Sequence, residues 1–362
     1  MGAPLRVGII GVGWGALVHA PAFRAVEGYE LGALCGRRPE PLARAAERLE
    51  IGDTSRDWES FVRRDDLDLI AITSPVELHH PMFLAALGAG KHVLCEKPLC
   101  LSVAEGRDMA AAAEAGDRAT AVCFENRWSP EHLAIWDFVE SGRIGQPYYA
   151  QSSQTAGYWH PTHAPQSAWM YQVEAGGGYL MGMAAHDLDF LQLLLGRAVA
   201  VCAEVRTSVP TRVLPDVGEV QVDADDTSAL LMRMESGALV VVTTSVVGYQ
   251  SASQVFQILG SEGTVEIGRF QGEGVAVTAR VGEDAPVPLA PSPRGLRSGV
   301  ELPPRRSSGA ILAQGLMLED WLPAFDGGAT RVPTVRDGLR VQQIIDAARR
   351  SSAGAGWVTI DA

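Results

Sequence analysis

The sequence has no apolar run near the roughly 20 residues that a membrane-spanning helix needs, and its first residues show no signal-peptide pattern. Basic residues are too few for a nucleic-acid or anionic-membrane surface, since 30 Lys and Arg stand against 43 Asp and Glu and the net charge is -13. Its five cysteines are an odd number, which favours free thiols in a reducing compartment. We therefore expect a cytoplasmic protein that binds neither nucleic acid nor membrane.

The first third of the chain alternates short apolar strands with helices of roughly ten to fifteen residues. Strand patterns cover residues 5–10, 29–35, 67–73, 91–95 and 119–124. Strands separated in this way predict an α/β domain with a parallel sheet covered on both faces. We assign residues 1–125 to this domain, a Rossmann dinucleotide-binding fold.

The pattern changes after residue 125, where one helix is followed by strands that alternate polar and apolar residues. These strands cover residues 227–234, 238–247, 253–260 and 263–268, and two helices end the chain. We predict a second, α+β domain over 126–362 with a large, mostly antiparallel open sheet. Such a sheet must cover its outer face, so we expect it to form a homodimer or homotetramer.

A glycine-rich turn lies between the first strand and the first helix. Gly11, Gly13 and Ala16 form a G-x-G-x-x-A pattern there. The first glycine allows the tight turn, the second lets the backbone approach a pyrophosphate, and the small third residue lets the helix pack on the strand. A lone triplet of this kind can be a plain turn, but its position favours a dinucleotide. The turn residues expected at the cofactor are Gly11, Gly13, Trp14, Gly15 and Ala16.

The residue that ends the second strand discriminates between NAD and NADP, because it faces the adenosine ribose. An acid there suits NAD, but this strand is followed by Gly36, Arg37 and Arg38. The two arginines can be a solvated loop or can bind the 2′-phosphate. We expect the cofactor to be NADP or NAD, with NADP preferred.

Residues 74–99, SPVELHHPMFLAALGAGKHVLCEKPL, resemble the signature of the Gfo/Idh/MocA family, which includes glucose-fructose oxidoreductase and inositol dehydrogenase. The resemblance extends to ENRWSP at 125–130, to HDLD at 186–189 and to the C-terminal residues, so it covers nearly the whole chain. It implies a Rossmann domain, an α+β domain and a redox reaction on a sugar or polyol.

Lys97 follows the strand at 91–95, at the sheet edge where ligands bind in α/β folds. Oxidation of an alcohol releases a hydride from carbon and a proton from oxygen, and the proton needs a base. Desolvation beside a substrate favours the neutral amine, which accepts a proton. Lys97 is therefore the predicted acid/base and a substrate contact. The resemblance implies that Glu96 contacts the nicotinamide side and that Pro98 has a cis peptide bond. The alternative is a salt bridge at a strand end.

The resemblance also places other residues near the cofactor. Ser74 and Pro75 would cover its edge and His79 would lie above the start of the next helix, although His79 can equally be a helix-capping residue. Arg127 resembles the family's domain-junction arginine, with a structural ion pair as the competing interpretation.

His186 occupies the position of the family's catalytic histidine, and we expect it to assist Lys97 and contact substrate. In inositol dehydrogenase-like members an Asp stands four residues earlier, but this chain has Gly182. Asp189, on the same helical face as His186, could orient the imidazole instead or could belong to helix packing. The missing Asp weakens the dehydrogenase interpretation without removing it.

Aromatic and imidazole side chains between 156 and 172 suit a sugar ring. The expected substrate contacts are Tyr158, Trp159, His163 and Trp169, with ordinary packing as the alternative. His160 and His163 without a third ligand are weak evidence for a metal. Asp225 and Asp226 resemble a magnesium pair but begin a strand, so we assign no metal.

The leading interpretation is an NAD(P)-dependent oxidoreductase that acts on a sugar, polyol or sugar derivative. Two alternatives stay open. One is an enzyme of the same fold that recycles a bound cofactor and cleaves a glycosidic bond without net redox change. The other is a cofactor-binding sensor without catalysis, against which Lys97 and His186 argue.

Overall fold

The computed structural model describes residues 3–163, 167–215, 217–249, 252–269, 275–298 and 307–361. The chain divides into two compact units. The first comprises Met1–Ser129 and Arg294–Leu339, and the second comprises Pro130–Pro293 and Arg340–Ala362.

The N-terminal residues form a doubly wound α/β fold. Within the described residues, the elements up to residue 123 are β1 (Leu5–Ile10), α1 (Ala20–Ala25), β2 (Tyr29–Cys35), α2 (Pro39–Arg48), β3 (Thr54–Ser55), α3 (Trp58–Phe61), β4 (Leu69–Ile72), α4 (His79–Gly88), β5 (His92–Glu96), α5 (Val103–Ala115) and β6 (Thr120–Cys123). The six strands are parallel in the order β3-β2-β1-β4-β5-β6. The predicted Rossmann domain is confirmed. Its strand order reverses between β1 and β4, which is where such folds bind ligands.

The second unit carries a large mixed sheet. The later elements are α6 (Pro130–Glu140), β7 (Pro147–Ala156), α7 (Ala185–Leu195), β8 (Ala198–Arg206), β9 (Thr211–Leu214), β10 (Gly218–Gln221), β11 (Thr227–Met234), β12 (Leu239–Ser245), β13 (Ala252–Gly260), β14 (Gly263–Arg269), β15 (Ala276–Val281), β16 (Val287–Pro288), α8 (Ser308–Trp321), α9 (Val335–Arg350) and β17 (Val358–Thr359). Nine strands pair in the order β16-β15-β14-β13-β7-β12-β11-β8-β17. All their pairings are antiparallel except β7 with β12.

The hydrophobic pattern of β11 accounts for its placement in this sheet. Ser228, Leu230, Met232 and Met234 are buried, while the residues between them are wholly or partly exposed. This period of two buries one face of the strand. The predicted α+β fold with a mostly antiparallel sheet is confirmed.

The segment Arg294–Leu339 belongs to the first unit, whereas the sequence pattern placed it in a domain covering 126–362. The physical reason is packing of α8 on the N-terminal residues. Tyr29 donates a hydrogen bond from its hydroxyl to the Leu318 carbonyl at 2.9 Å, and Trp321 of α8 is fully buried. Because α8 is apolar on nearly all sides, it needs protein around it.

The five cysteines are free thiols, and all except Cys202 are buried. Among the described residues no helix is both long and apolar enough to span a bilayer. The cytoplasmic location stays a prediction.

Candidate active site

The glycine-rich turn begins where β1 ends and is held from both neighbouring strands. The Gly11 N–H donates to the Cys35 carbonyl at 2.8 Å, and Gly11 has a φ of 109°. A Cβ at Gly11 would lie 2.3 Å from the Thr73 carbonyl oxygen, so no other residue fits there. A Cβ at Gly13 would meet no heavy atom within 4 Å, which leaves its backbone open to a ligand. This open turn fits a dinucleotide pyrophosphate.

Thr73 is an anchor of this turn that sequence reasoning missed. Its hydroxyl donates to the carbonyls of Ile10 and Gly11 at 2.9 and 3.0 Å. Its Oγ1 would also lie 2.2 Å from a Cβ at Gly15, so this threonine packs directly against the turn. Its position at the end of an apolar run was visible in the sequence, but its partner was not. Ala16 is buried and Trp14 is 42% exposed.

The loop after β2 presents its arginines to solvent. Arg37 and Arg38 are both exposed, and Arg38 directly precedes α2, whose first residue is Pro39. Arg56 donates from Nε to the Arg37 carbonyl at 3.3 Å, which adds a third guanidinium to this edge. No carboxylate follows β2 before α2 begins. The loop can accept an anionic group such as a phosphate.

The turn formed by Glu96, Lys97 and Pro98, here named the E-K-P turn, lies at the carboxyl end of β5, on the same sheet edge as the glycine-rich turn. Glu96 is the last residue of β5 and is 7% exposed, and Lys97 is partly buried. The backbone N–H of Lys97 donates to Oε2 of Glu96 at 2.9 Å. The Lys97–Pro98 peptide bond is cis, as the resemblance implied.

His79 joins two loops at this edge rather than standing free. It is 1% exposed, with Nε2 2.9 Å from the Ser74 carbonyl and Nδ1 3.0 Å from the Pro98 carbonyl. Burial lowers the pKa of His79, so the neutral ring is favoured and its single N–H serves one carbonyl at a time. The contacts fit a structural role, and contact of Ser74, Pro75 and His79 with a cofactor stays a prediction.

A buried polar cluster includes the glutamate of the E-K-P turn, and no sequence motif indicated it. Nε2 of His19 is 2.7 Å from Oε1 of Glu96. The Cys123 thiol donates to Oε1 of Gln314 at 2.7 Å and lies 3.6 Å from Oε2 of Glu125. Within the described residues His19, Glu96 and Cys123 are the one group spaced closely enough to hold a metal ion. We name these five residues the buried cluster.

The pKa values of the two glutamates in the buried cluster are shifted in opposite directions. Burial alone would raise the pKa of Glu96, but the hydrogen bond and charge of His19 outweigh it and the pKa is lowered. Burial, together with the negative charge of Glu96, raises the pKa of Glu125 to about 7. Paired carboxyls whose pKa values are pushed apart are typical of sites that handle protons. Glu96 is thus the ionised member of the pair.

Arg127 lies in a short 3-10 turn, Glu125–Trp128, after β6. Its side chain is 5% exposed, and Nη2 is 4.0 Å from Oδ2 of Asp337 in the same unit. This distance is the upper limit of an ion pair and supports the structural interpretation. A cofactor contact by Arg127 stays a prediction.

In the second unit, His186 is the second residue of α7 and is 4% exposed. Gly182 precedes it by four residues in a π-helical turn, Leu180–Ala184. A Cβ at Gly182 would meet no heavy atom within 4 Å, so space for the missing Asp side chain exists. Asp189 is also buried, and its role toward His186 stays a prediction.

Asp187, next to His186, is a buried carboxyl whose partners no sequence motif indicated. It accepts from the Ser152 hydroxyl at 2.6 Å and from Nε2 of Gln154 at 2.7 Å, and Gln154 in turn accepts from the Tyr179 hydroxyl. Burial raises the pKa of Asp187 to about 6. These bonds tie α7 to β7 in the sheet.

The predicted substrate contacts separate into exposed and buried residues. Tyr158 is 53% exposed, Trp169 is 39% exposed and His163 is exposed, with Nδ1 of His163 bonded to the Gly157 carbonyl. Trp159 is 4% exposed and packs edge-on against Tyr171 with ring centroids 5.2 Å apart. Trp159 therefore belongs to a hydrophobic core cluster, which supports its packing role.

The two neighbouring aspartates directly before β11 accept hydrogen bonds from backbone N–H groups. Oδ2 of Asp225 accepts from Leu180 at 2.8 Å, and the two oxygens of Asp226 accept from Ser208 and Val209 at 2.9 Å each. They connect segments of the second unit, in agreement with their interpretation as structural residues.

A doubly wound parallel sheet with an open glycine turn after β1 and a lysine directly after β5 is typical of oxidoreductases that bind a dinucleotide. Comparison with known families agrees. Residues 5–124 match the oxidoreductase family with an NAD-binding Rossmann fold, and residues 132–266 match the GFO/IDH/MocA C-terminal domain. The chain belongs to the Gfo/Idh/MocA family of oxidoreductases.

Several relatives match most of the chain. Levoglucosan dehydrogenase of Pseudarthrobacter phenanthrenivorans is 27% identical over 98% of this chain and 98% of its own. Inositol 2-dehydrogenase 2 of Saccharopolyspora erythraea is 31% identical over 71% of this chain and 72% of its own. A solved levoglucosan dehydrogenase in complex with NADH and levoglucosan has a TM-score of 0.87 at 25% identity and covers 99% of both chains.

Proposed function

We propose that this protein is an NAD(P)-dependent dehydrogenase that interconverts a secondary alcohol and a ketone on a cyclic sugar or polyol. The observation that carries the proposal is the E-K-P turn. Its glutamate, Glu96, is buried, forms a hydrogen bond with His19 and accepts a hydrogen bond from the backbone N–H of Lys97. The open glycine-rich turn lies at the same edge of the sheet.

The residues present suit a dinucleotide. Gly11, Gly13 and the residues to Ala16 would hold the pyrophosphate at the start of the first helical turn. When bound, a nicotinamide supplies the acceptor for the hydride that leaves the substrate carbon. Lys97 accepts the hydroxyl proton at Nζ during oxidation and returns it during reduction, so charge stays balanced at the carbinol oxygen. We assign His186 the assisting role.

The substrate class is proposed from the relatives together with the exposed rings of the second unit. The relatives are named as dehydrogenases of levoglucosan, myo-inositol and apiose. Tyr158 and Trp169 offer aromatic surface and His163 a polar group, the combination that sugar rings use for stacking and hydrogen bonding. We propose a cyclic substrate with neighbouring hydroxyl groups.

We further propose that NADP is accepted, with Arg37 and Arg38 facing its 2′-phosphate. Their exposure and the lack of a carboxylate after β2 support this assignment. The solved relative holds NADH, so both cofactors belong in the first assay.

The testing experiment follows nicotinamide absorbance when purified protein is mixed with NAD or NADP and a panel of anhydrosugars, inositols, sugars and glycosides. An absorbance change that requires both cofactor and substrate is expected. Release of an aglycone with no net absorbance change would contradict this reaction and favour an internally recycled cofactor. Tight cofactor binding with no turnover of any compound would favour a sensor.

We also propose a homodimer or homotetramer through the nine-stranded sheet. Its open face carries apolar side chains, among them Leu231 and Leu239, which are 41% and 42% exposed. Light scattering of the wild type and of a Leu231→Lys, Leu239→Lys variant tests this. We expect a smaller particle for the variant, and a monomeric wild type would refute the assembly.

A further inference from the structure

His19 lies at the end of a π-helical turn, Gly15–His19, that begins inside the glycine-rich segment. Its side chain is fully buried, and Nε2 donates to Oε1 of Glu96 at 2.7 Å. The two residues are 77 positions apart, on the first and fifth strand-to-helix connections of the sheet. The contact therefore joins the π-helical turn after the glycine-rich turn to the E-K-P turn.

We propose that His19 is a positioning residue for Lys97, acting through Glu96. The inference rests on the proposed function for the role of Lys97. One oxygen of Glu96 binds His19 and the other binds the backbone N–H of Lys97, so the carboxylate is fixed from both sides. A carboxylate with two such donors has one orientation, and the lysine that follows it starts from a fixed backbone.

The surroundings of Glu96 explain why a histidine is needed. The titratable groups that face it are those of His79, Cys95, Lys97, Cys123 and Glu125. Burial favours the neutral carboxyl. The imidazole and the neighbouring lysine oppose that effect, and the imidazole does so in direct contact.

A metal ion at the same residues is the competing arrangement, because Cys123 lies 3.9 Å from Nε2 of His19. The geometry favours hydrogen bonding. The Cys123 thiol already donates to Gln314 at 2.7 Å, and burial with the charge of Glu96 raises its pKa well above the ordinary value. A protonated thiol is a poor metal ligand.

The test compares the wild type with His19→Gln, which replaces the imidazole but keeps a side-chain N–H donor, and His19→Leu, which removes the imidazole and the donor. His132→Gln is the matched control, since His132 is also buried but packs against Phe190 in the second unit. The first readout is carbon-13 NMR of glutamate carboxyls, with Glu96 assigned from a Glu96→Gln spectrum. The others are kcat against pH, calorimetric cofactor affinity and metal content.

We expect the Glu96 carboxyl to titrate at higher pH in His19→Gln and highest in His19→Leu. The kcat of His19→Leu should fall about tenfold to hundredfold because Lys97 is misplaced, with His19→Gln in between and His132→Gln unchanged. Identical Glu96 titration in the wild type and both His19 variants would overturn the proposal, and so would one equivalent of bound zinc in the purified protein. If no substrate is turned over, the proposed function fails while the carboxyl titration still decides this inference.

Discussion

The chain has only two lysines, Lys91 and Lys97, among its 30 basic residues. Lys91 is 7% exposed and donates from Nζ to the carbonyls of Arg64 and Leu67 at 2.6 and 2.8 Å. Lys91, directly before β5, therefore binds the connection between α3 and β4, and Lys97 directly follows β5. The two lysines differ in role because Lys91 precedes β5 and Lys97 follows it, at the sheet edge where ligands bind.

Replacement of Lys97 by Met should remove proton transfer while leaving the turn packed. We expect kcat to fall by about 10²- to 10⁴-fold, with cofactor affinity by calorimetry nearly unchanged. Lys97→Arg is the matched control, because a guanidinium keeps the charge but does not give up its proton. Activity in Lys97→Arg close to that of the wild type would show that charge, not proton transfer, is the function of Lys97.

Gly182→Asp introduces the carboxylate that the inositol dehydrogenase-like members carry at this position. The added side chain meets no atom within 4 Å at its Cβ, so the variant should fold. A carboxylate four residues before His186 favours the protonated imidazole, and the acid limb of kcat/KM should move up by about one pH unit. Gly182→Asn is the uncharged control. Superimposable pH profiles for the two variants would exclude His186 from the proton-transfer step.

At the scale of elements, the sequence pattern located most strands. It predicted β1, β2 and β11 at the bounds that the structure has. β1 and β2 are short apolar runs that end at a glycine, and β11 alternates strictly between buried and exposed residues, so each carries a strong local signal. The segment Arg294–Leu339 joined the other unit because α8 is apolar on nearly all sides, so its composition shows that it is buried but not against which partner.

The buried cluster could not be predicted from local sequence patterns. In the sequence LVHAPAF, His19 cannot be distinguished from an ordinary helix residue. Its hydrogen bond to Glu96, 77 positions away, is visible only in the structure. Thr73 is similar, since it follows an apolar strand and binds the carbonyls of Ile10 and Gly11, more than 60 positions away. Motifs predicted the residues that would meet ligands, and the residues that hold those motifs in place required the tertiary structure.

The connection between β2 and α2 yields a prediction about the cofactor. In a combined Arg37→Ala, Arg38→Ala variant, KM for NADP should rise about tenfold to hundredfold. This change corresponds to the free energy that hydrogen bonds to a charged group contribute. KM for NAD should change little, because NAD lacks the 2′-phosphate. Arg63→Ala, an exposed arginine elsewhere in the first unit, is the control. Equal changes for both cofactors would show that the loop does not read the phosphate.

For the whole molecule, buried carboxyls determine how stability depends on pH. Burial raises the pKa of Glu125 to about 7 and that of Asp187 to about 6, each above its ordinary value. Between the unfolded and folded pKa values the folded chain holds more protons than the unfolded one, so its free energy of unfolding falls as pH rises. Above the folded pKa the loss is complete. The net charge of -13 adds repulsion in the same direction.

Glu125→Gln tests this account, because glutamine resembles the protonated acid and does not ionise. A folded pKa of about 7 against the ordinary 4.5 corresponds to about 3 kcal/mol above pH 7. We expect the variant to unfold at a higher temperature than the wild type at pH 8, by about 2–4 °C for each kcal/mol. Near pH 4.5 Glu125 is protonated in the folded wild type and so resembles the glutamine of the variant, and the difference should shrink toward zero. Glu30→Gln, an exposed glutamate on β2, should show no such dependence. A Glu125→Gln difference that is constant across pH would mean that Glu125 has the same pKa in the folded and unfolded states, and this account of the pH dependence would then be wrong.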